Sequence, residues 1–159
     1  MTSANAKLFR QLTRAVFAAH SSVLRHGDRA NAQFGQSSAR WRVMFNIAQG
    51  NGSVSEIARA TDYTRQSIQR LADTLVAEGL ATYAPHPHDR RKQIITLTAK
   101  GSRLLDEMEA DFDRWSKRLV QALGKENVTQ TIEQLHELKR ILDSDADQFE
   151  DRDVRASTR

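Results

Sequence analysis

Residues 53–101 read SVSEIARATDYTRQSIQRLADTLVAEGLATYAPHPHDRRKQIITLTAKG, and their pattern decides the fold. Ser53-Val54-Ser55-Glu56 has capping-box spacing: the Ser53 hydroxyl and the Glu56 carboxylate can each satisfy a free backbone N–H at a helix start. A short helix over about 54–60 follows, anchored by Val54, Ile57 and Ala58. Thr61-Asp62-Tyr63 makes a turn. Thr64 then caps a second helix over about 65–78, with Ile68, Leu71, Ala72 and Leu75 on one face. Gly79 ends that helix. Leu80 to Ala84 and Gln93 to Leu97 are rich in β-branched and aromatic residues and predict paired strands. The only two prolines of the chain, Pro85 and Pro87, fall in their connection, where they stiffen a loop or an edge.

Outward from this stretch the pattern is helical. Leu8, Leu12, Val16, Ala19 and Val23 recur at three- and four-residue spacing, widened by Phe9 and Phe17, so residues 5–26 predict an amphipathic helix stopped by Gly27-Asp28. Residues 28–37 carry no periodicity and predict a loop. Ser37 or Ser38 caps a helix using Trp41, Met44, Phe45 and Ala48, which ends at Gly50-Asn51-Gly52. After the strands, Thr98 caps a long helix with a near-heptad stripe of Leu104, Leu105, Met108, Phe112, Trp115, Leu119 and Leu123. Gly124 interrupts it, and a last helix over about 126–142 uses Val128, Ile132, Leu135, Leu138 and Leu142. The remainder, 143–159, is acidic with few apolar anchors and predicts a disordered tail.

Composition narrows the possible functions. The 159 residues include no cysteine, which excludes disulfides, thiolate metal sites and thiol redox sensing within the chain. Lys7, Arg10 and Arg14 break any secretory apolar run, and no stretch reaches the ~18 apolar residues of a membrane span, so a cytoplasmic protein without a membrane partner is expected. Net charge is +4 but unevenly spread. Residues 1–50 carry seven basic groups against one acid, 51–100 seven against five, and 101–159 ten against fourteen. A basic front and an acidic back orient a molecule toward a polyanion.

The outer face of the 65–78 helix presents Arg65, Gln66, Ser67, Gln69 and Arg70 behind the Thr64 cap. Arginine can donate twice to guanine and glutamine can pair with adenine in a major groove. Any solvated helix face also carries such residues, so the helix alone is an even wager between surface and DNA reader. The basic tip that follows, Asp89-Arg90-Arg91-Lys92, shifts the balance, because inserted arginine suits a narrow minor groove; Asp89 can hold Arg91 in register. Ser38, Arg40 and Ser53 are weaker candidates for phosphate contacts. His86 and His88 flank Pro87 beside Asp89 and could hold a transition metal, but exposed loop histidines near phosphate are the better reading. His20, His26 and His136 have no shared geometry in sequence, and no metal or cofactor is assigned. No phosphate loop, nucleophile elbow or HExxH is present, so no enzyme is expected. The apolar faces of the first and last two helices exceed what one small lobe can cover, which points to a homodimer.

These residues resemble the MarR family of winged helix-turn-helix regulators over about 5–142. Asp89-Arg90-Arg91 followed by Leu97-Thr98-Ala99-Lys100-Gly101 is similar to the family's DRR…LTxxG signature. Ser55-Glu56-Ile57-Ala58 resembles its first helix-turn-helix element, and Glu78-Gly79-Leu80 its junction into the wing. The resemblance implies a mainly α fold with a small β-hairpin: a winged helix-turn-helix DNA-binding region over 38–98, with dimerisation helices at 5–27 and 99–142. It further implies a ligand-responsive repressor that binds a pseudo-palindromic operator in double-stranded DNA as a homodimer. The wing arginine corresponds to Arg91, with Arg90 its neighbour. A small-molecule effector is implied, with no pocket residue assigned; oxidant sensing through cysteine is not. The alternatives are an architectural DNA-binding or protein-interaction module without ligand control, and, more remotely, a metal-dependent sensor using the histidines.

Overall fold

The computed structural model describes residues 3–50, 52–61, 63–86 and 89–157, and side chains among these outside 86–92 and 146–157. The element order is α1 (Ala4–Ala32), α2 (Ser38–Ala48), α3 (Val54–Thr61), α4 (Arg65–Ala77), β1 (Ala81–His86), β2 (Asp89–Leu97), α5 (Ala99–Leu123) and α6 (Lys125–Ser157). The expected fold class, mainly α with one small hairpin, is the observed one.

The chain divides into two compact units, Met1–Ala110 and Asp111–Arg159. In the first, α2 contributes Val43, Met44 and Ile47 to the core, α3 Ile57 and Ala58, and α4 Ile68, Ala72 and Leu75. Leu80, Ala81, Ile95 and Leu105 close it. The α4 residues sit at i, i+4 and i+7, so one helix face is spent on packing and the other is left to solvent. β1 and β2 pair antiparallel, with Ala81 opposite Leu97 and Tyr83 opposite Ile95. The Ile95 amide donates to the Gly52 carbonyl at 2.7 Å, fastening the hairpin to the α2–α3 connection.

The second unit comprises the rest of α5 and α6, separated by Gly124 at φ 83°. That left-handed conformation favours glycine. Phe112, Leu119, Leu123, Ile132, Leu135, Ile141 and Leu142 are exposed on it. In the first unit, α1 buries no residue, and Leu8, Phe9, Leu12, Phe17 and Val23 are exposed.

Four sequence expectations are corrected. Gly27 does not stop α1, which continues to Ala32 and absorbs part of the expected 28–37 loop. Its Cβ hydrogen is needed for another reason: a methyl group there would collide with the Ser38 hydroxyl. One glycine costs a helix only about 1 kcal/mol, which a 29-residue helix tolerates. Thr61 is a buried part of α3 rather than of a turn, its hydroxyl donating to the Ile57 carbonyl at 2.7 Å. The hairpin extends beyond both expected strands, and Pro85 lies in β1 opposite Gln93, beside a bulge. A two-stranded ribbon has an outer edge on each strand, where a missing N–H removes no ladder bond. Finally, residues 143–157 of the expected disordered tail continue α6. No glycine or proline occurs after Gly124, and Lys139 pairs with Asp143 one turn on at 2.6 Å.

Candidate nucleic-acid interface

The start of α3 is the expected capping box. The Ser53 amide donates to Glu56 Oε2 at 2.8 Å and the Glu56 amide donates to Ser53 Oγ at 3.2 Å. The Ser53 hydroxyl also donates to Glu56 at 2.7 Å. Arg42 braces the other end of α3: its guanidinium donates to the Thr61 carbonyl at 3.1 Å and lies 5.0 Å over the Tyr63 ring.

Thr64 caps α4, accepting from the Ser67 amide at 3.1 Å, and its hydroxyl also shares a 2.8 Å hydrogen bond with that of Ser67. Beyond this cap, Arg65, Gln66, Gln69 and Arg70 are exposed. Among the described residues, Arg65 and Arg70 form no ion pair. Two mobile cations and an amide therefore stand on the solvent face of a helix whose opposite face is locked into the core.

Gln69 is different. Its Nε2 donates to Asp73 Oδ1 at 2.9 Å and to the Tyr83 hydroxyl at 2.7 Å, while that hydroxyl donates to Asp73 Oδ1 at 2.6 Å. Burial, the hydrogen bond to Asp73 and its charge push the Tyr83 phenol up to about 12 against a smaller lowering by Gln69. The triangle joins the middle of α4 to β1. Beside it lies a cleft of about 460 Å³ lined by Ser53, Glu56, Arg59, Gln69, Tyr83 and Gln93, among others.

The expected phosphate contacts are engaged inside the fold. Ser38 is buried; its amide donates to Asp28 Oδ1 at 2.9 Å and its hydroxyl reaches the Leu24 carbonyl at 3.4 Å. It serves the α1–α2 junction, and Ser37 is the N-cap of α2. Arg40 is paired with Glu78 and mostly buried. Ser53 is held by Glu56. Sequence spacing located the Ser53 cap, but the partners of Ser38 and Arg40 lie 10 and 38 residues away, beyond any local pattern.

The wing places Asp89, Arg90, Arg91 and Lys92 on β2 directly after its turn. Their side chains, the expected Asp89–Arg91 pairing, Pro87 and the whole of His88 lie outside the described residues. Among the described residues no group of three His, Asp or Glu side chains could hold a metal.

The segment after the wing locks it to α5. The Thr98 amide donates to the Leu80 carbonyl at 3.0 Å and its hydroxyl donates to the Gly79 carbonyl at 2.7 Å. Thr98 Oγ1 also accepts from the Gly101 amide at 3.1 Å, and Lys100 Nζ donates to the Glu78 carbonyl at 3.0 Å. A Cβ at Gly101 would overlap the Leu80 carbonyl. Each polar residue of the Thr98–Gly101 run therefore has a mechanical reason to be where it is.

Comparison with known proteins agrees with this geometry. A family model described as the MarR family matches residues 34–92. The HTH-type transcriptional repressor NicR of Pseudomonas putida is 32% identical over 96 residues, covering 60% of this chain and 59% of that protein. The crystal structure of the transcriptional regulator PA4135 superposes with a TM-score of 0.70 at 26% identity, covering 82% of this chain and 96% of that one. The transcriptional repressor CouR, solved bound to a 23-mer DNA duplex, gives a TM-score of 0.74 at 24% identity over 87% and 99% of the two chains. Among the described residues no helix is long and apolar enough to cross a membrane.

Proposed function

The chain belongs to the MarR family of winged helix-turn-helix transcriptional regulators, and we propose that it represses transcription by binding a pseudo-palindromic DNA operator as a homodimer until a small molecule releases it. The observation that carries this reading is the α4 face, where Arg65, Gln66 and Arg70 stand exposed on a helix that is capped and packed on its other side. Arg65 and Arg70 suit guanine or phosphate, and Gln66 suits adenine. Ser67, tied to the Thr64 cap, and the free N–H groups of the helix start suit a phosphate. Arg90, Arg91 and Lys92, with Asp89 beside them, would reach the adjacent minor groove from the wing.

Two such lobes must stand about 34 Å apart to enter successive major grooves on one face of the duplex. The exposed apolar residues of α1 and, separately, of α5 and α6 support a homodimer as the device that sets this spacing. A ligand that binds better to a dimer with the wrong spacing lowers DNA affinity by that difference in binding.

The test is a mobility shift on duplex DNA from beside the encoding locus that contains an inverted repeat. Wild-type protein should retard it at physiological salt, and Arg91→Ala should weaken retardation about tenfold or more while leaving the melting temperature and the oligomeric state unchanged. Equal affinity of the variant would take the wing out of the mechanism.

A further inference from the structure

We infer that the Gln69–Asp73–Tyr83 triangle makes Gln69 an acceptor-only reader, so that the base facing it in each half-site must present an exocyclic amine, adenine or cytosine. The inference rests on the DNA-reading role proposed above and goes one step further, from binding to a rule of selectivity.

A free glutamine has one amide carbonyl and two N–H donors, and its usual pairing with adenine uses both kinds of group at once. Here both donors of Nε2 point at protein: one at Asp73 Oδ1, 2.9 Å away, and one at the Tyr83 oxygen, 2.7 Å away. Tyr83 cannot return the bond, because its own proton lies toward Asp73 at 2.6 Å. Turning the amide over would set the Gln69 carbonyl oxygen against the Asp73 carboxylate, with no proton between them, so the orientation is fixed by chemistry rather than by choice of label. Asp73 accepts from both neighbours, and the high phenol pKa keeps the Tyr83 proton in place at any physiological pH. Only Oε1 remains for an outside partner among the described residues.

In the major groove, adenine N6 and cytosine N4 donate, whereas guanine O6 and N7 and thymine O4 accept. An acceptor held against guanine or thymine would leave two desolvated oxygens facing each other without a hydrogen bond. Gln66, one turn earlier and without such partners, keeps both kinds of group. The two glutamines of the same helix face therefore read by different rules, and Tyr83, from the hairpin, acts as a positioning residue for base selection.

The experiment is selection of bound sequences from a randomised duplex pool, with wild type, Gln69→Ala and Tyr83→Phe compared. Gln69→Ala should flatten the preference at one position in each half-site. At that position wild type should favour adenine or cytosine over guanine or thymine by about fivefold. Tyr83→Phe frees one N–H of Gln69, and the preference there should fall to about twofold or less, with guanine and thymine admitted. Should Tyr83→Phe fold poorly, Asp73→Ala frees a Gln69 donor by a different route and should give the same loosening. A wild-type preference for guanine or thymine at that position overturns the inference. So does a position profile unchanged in both Tyr83→Phe and Asp73→Ala, or a Gln69→Ala profile identical to wild type. Each of these leaves the regulator reading standing, whereas a wild-type protein that enriches no sequence removes that reading and the inference together.

Discussion

At Tyr83 a single proton reports whether the recognition helix and the hairpin are tied together. The phenol moves from its ordinary 10.0 to about 12, first through burial and then through the Asp73 hydrogen bond and charge. A raised folded-state value means that the folded protein holds this proton more tightly than the unfolded chain. The resulting stability is complete below pH 10 and is lost as pH rises from 10 toward 12, as the unfolded-state phenol ionises first. The chain has two tyrosines, so Tyr63→Phe leaves Tyr83 as the only phenol to follow by absorbance. Its titration midpoint should lie near 12, and adding Asp73→Ala should bring it back toward 10. A midpoint at 10 without the Asp73 change would mean that the triangle does not form in solution. Nothing in the sequence around Gln69 announces these partners, because Tyr83 lies 14 residues on and reaches it only through the fold of the hairpin. The helix face was legible from its spacing; which of its amides was already occupied was not.

At the scale of elements, the caps and the core stripe were legible, because both are written in local spacing. Ser53 with Glu56, Thr64 and Thr98 each cap the helix that their position predicted. Boundaries set by distant contacts were not. Gly27 reads as a helix stop, yet it is the point where α1 must leave room for Ser38; glycine required by a neighbour and glycine required by a turn look alike in sequence. Pro85 reads as loop, yet an edge strand accommodates it. Gly101 belongs to the same class as Gly27, and it carries a prediction about the junction between β1 and α5. Alanine there would drive its Cβ into the Leu80 carbonyl, and backbone on both sides leaves no flexible chain to yield. The steric cost, about 1–3 kcal/mol, exceeds the gain of about 1 kcal/mol in helix propensity. Gly101→Ala should lower the melting temperature by several degrees, read by circular dichroism; an equal or higher value would mean that α5 does not dock on Leu80 as described.

At the scale of the whole molecule, the apolar helices and the uneven charge point the same way. Phe17 is 70% exposed and Leu8 67% exposed on a helix that buries nothing in the single chain, which fits surfaces covered by a second copy. Phe17→Glu should shift the mass measured by light scattering from twice 18.0 kDa toward 18.0 kDa and weaken operator binding with it; a dimer unaffected by the charge would place the interface elsewhere. The size of the apolar surplus was legible in sequence from periodicity alone. What effector acts on the protein was not, because pocket residues on helices read equally well as core. The central claim is that two lobes on one dimer read one face of a duplex. Hydroxyl-radical footprinting of the operator tests it most directly. Two protected patches centred about one helical turn apart, offset to the same face, with wing protection in the flanking minor grooves, are the predicted result. Uniform, salt-sensitive coverage with no discrete boundary would contradict it and would instead describe an architectural protein.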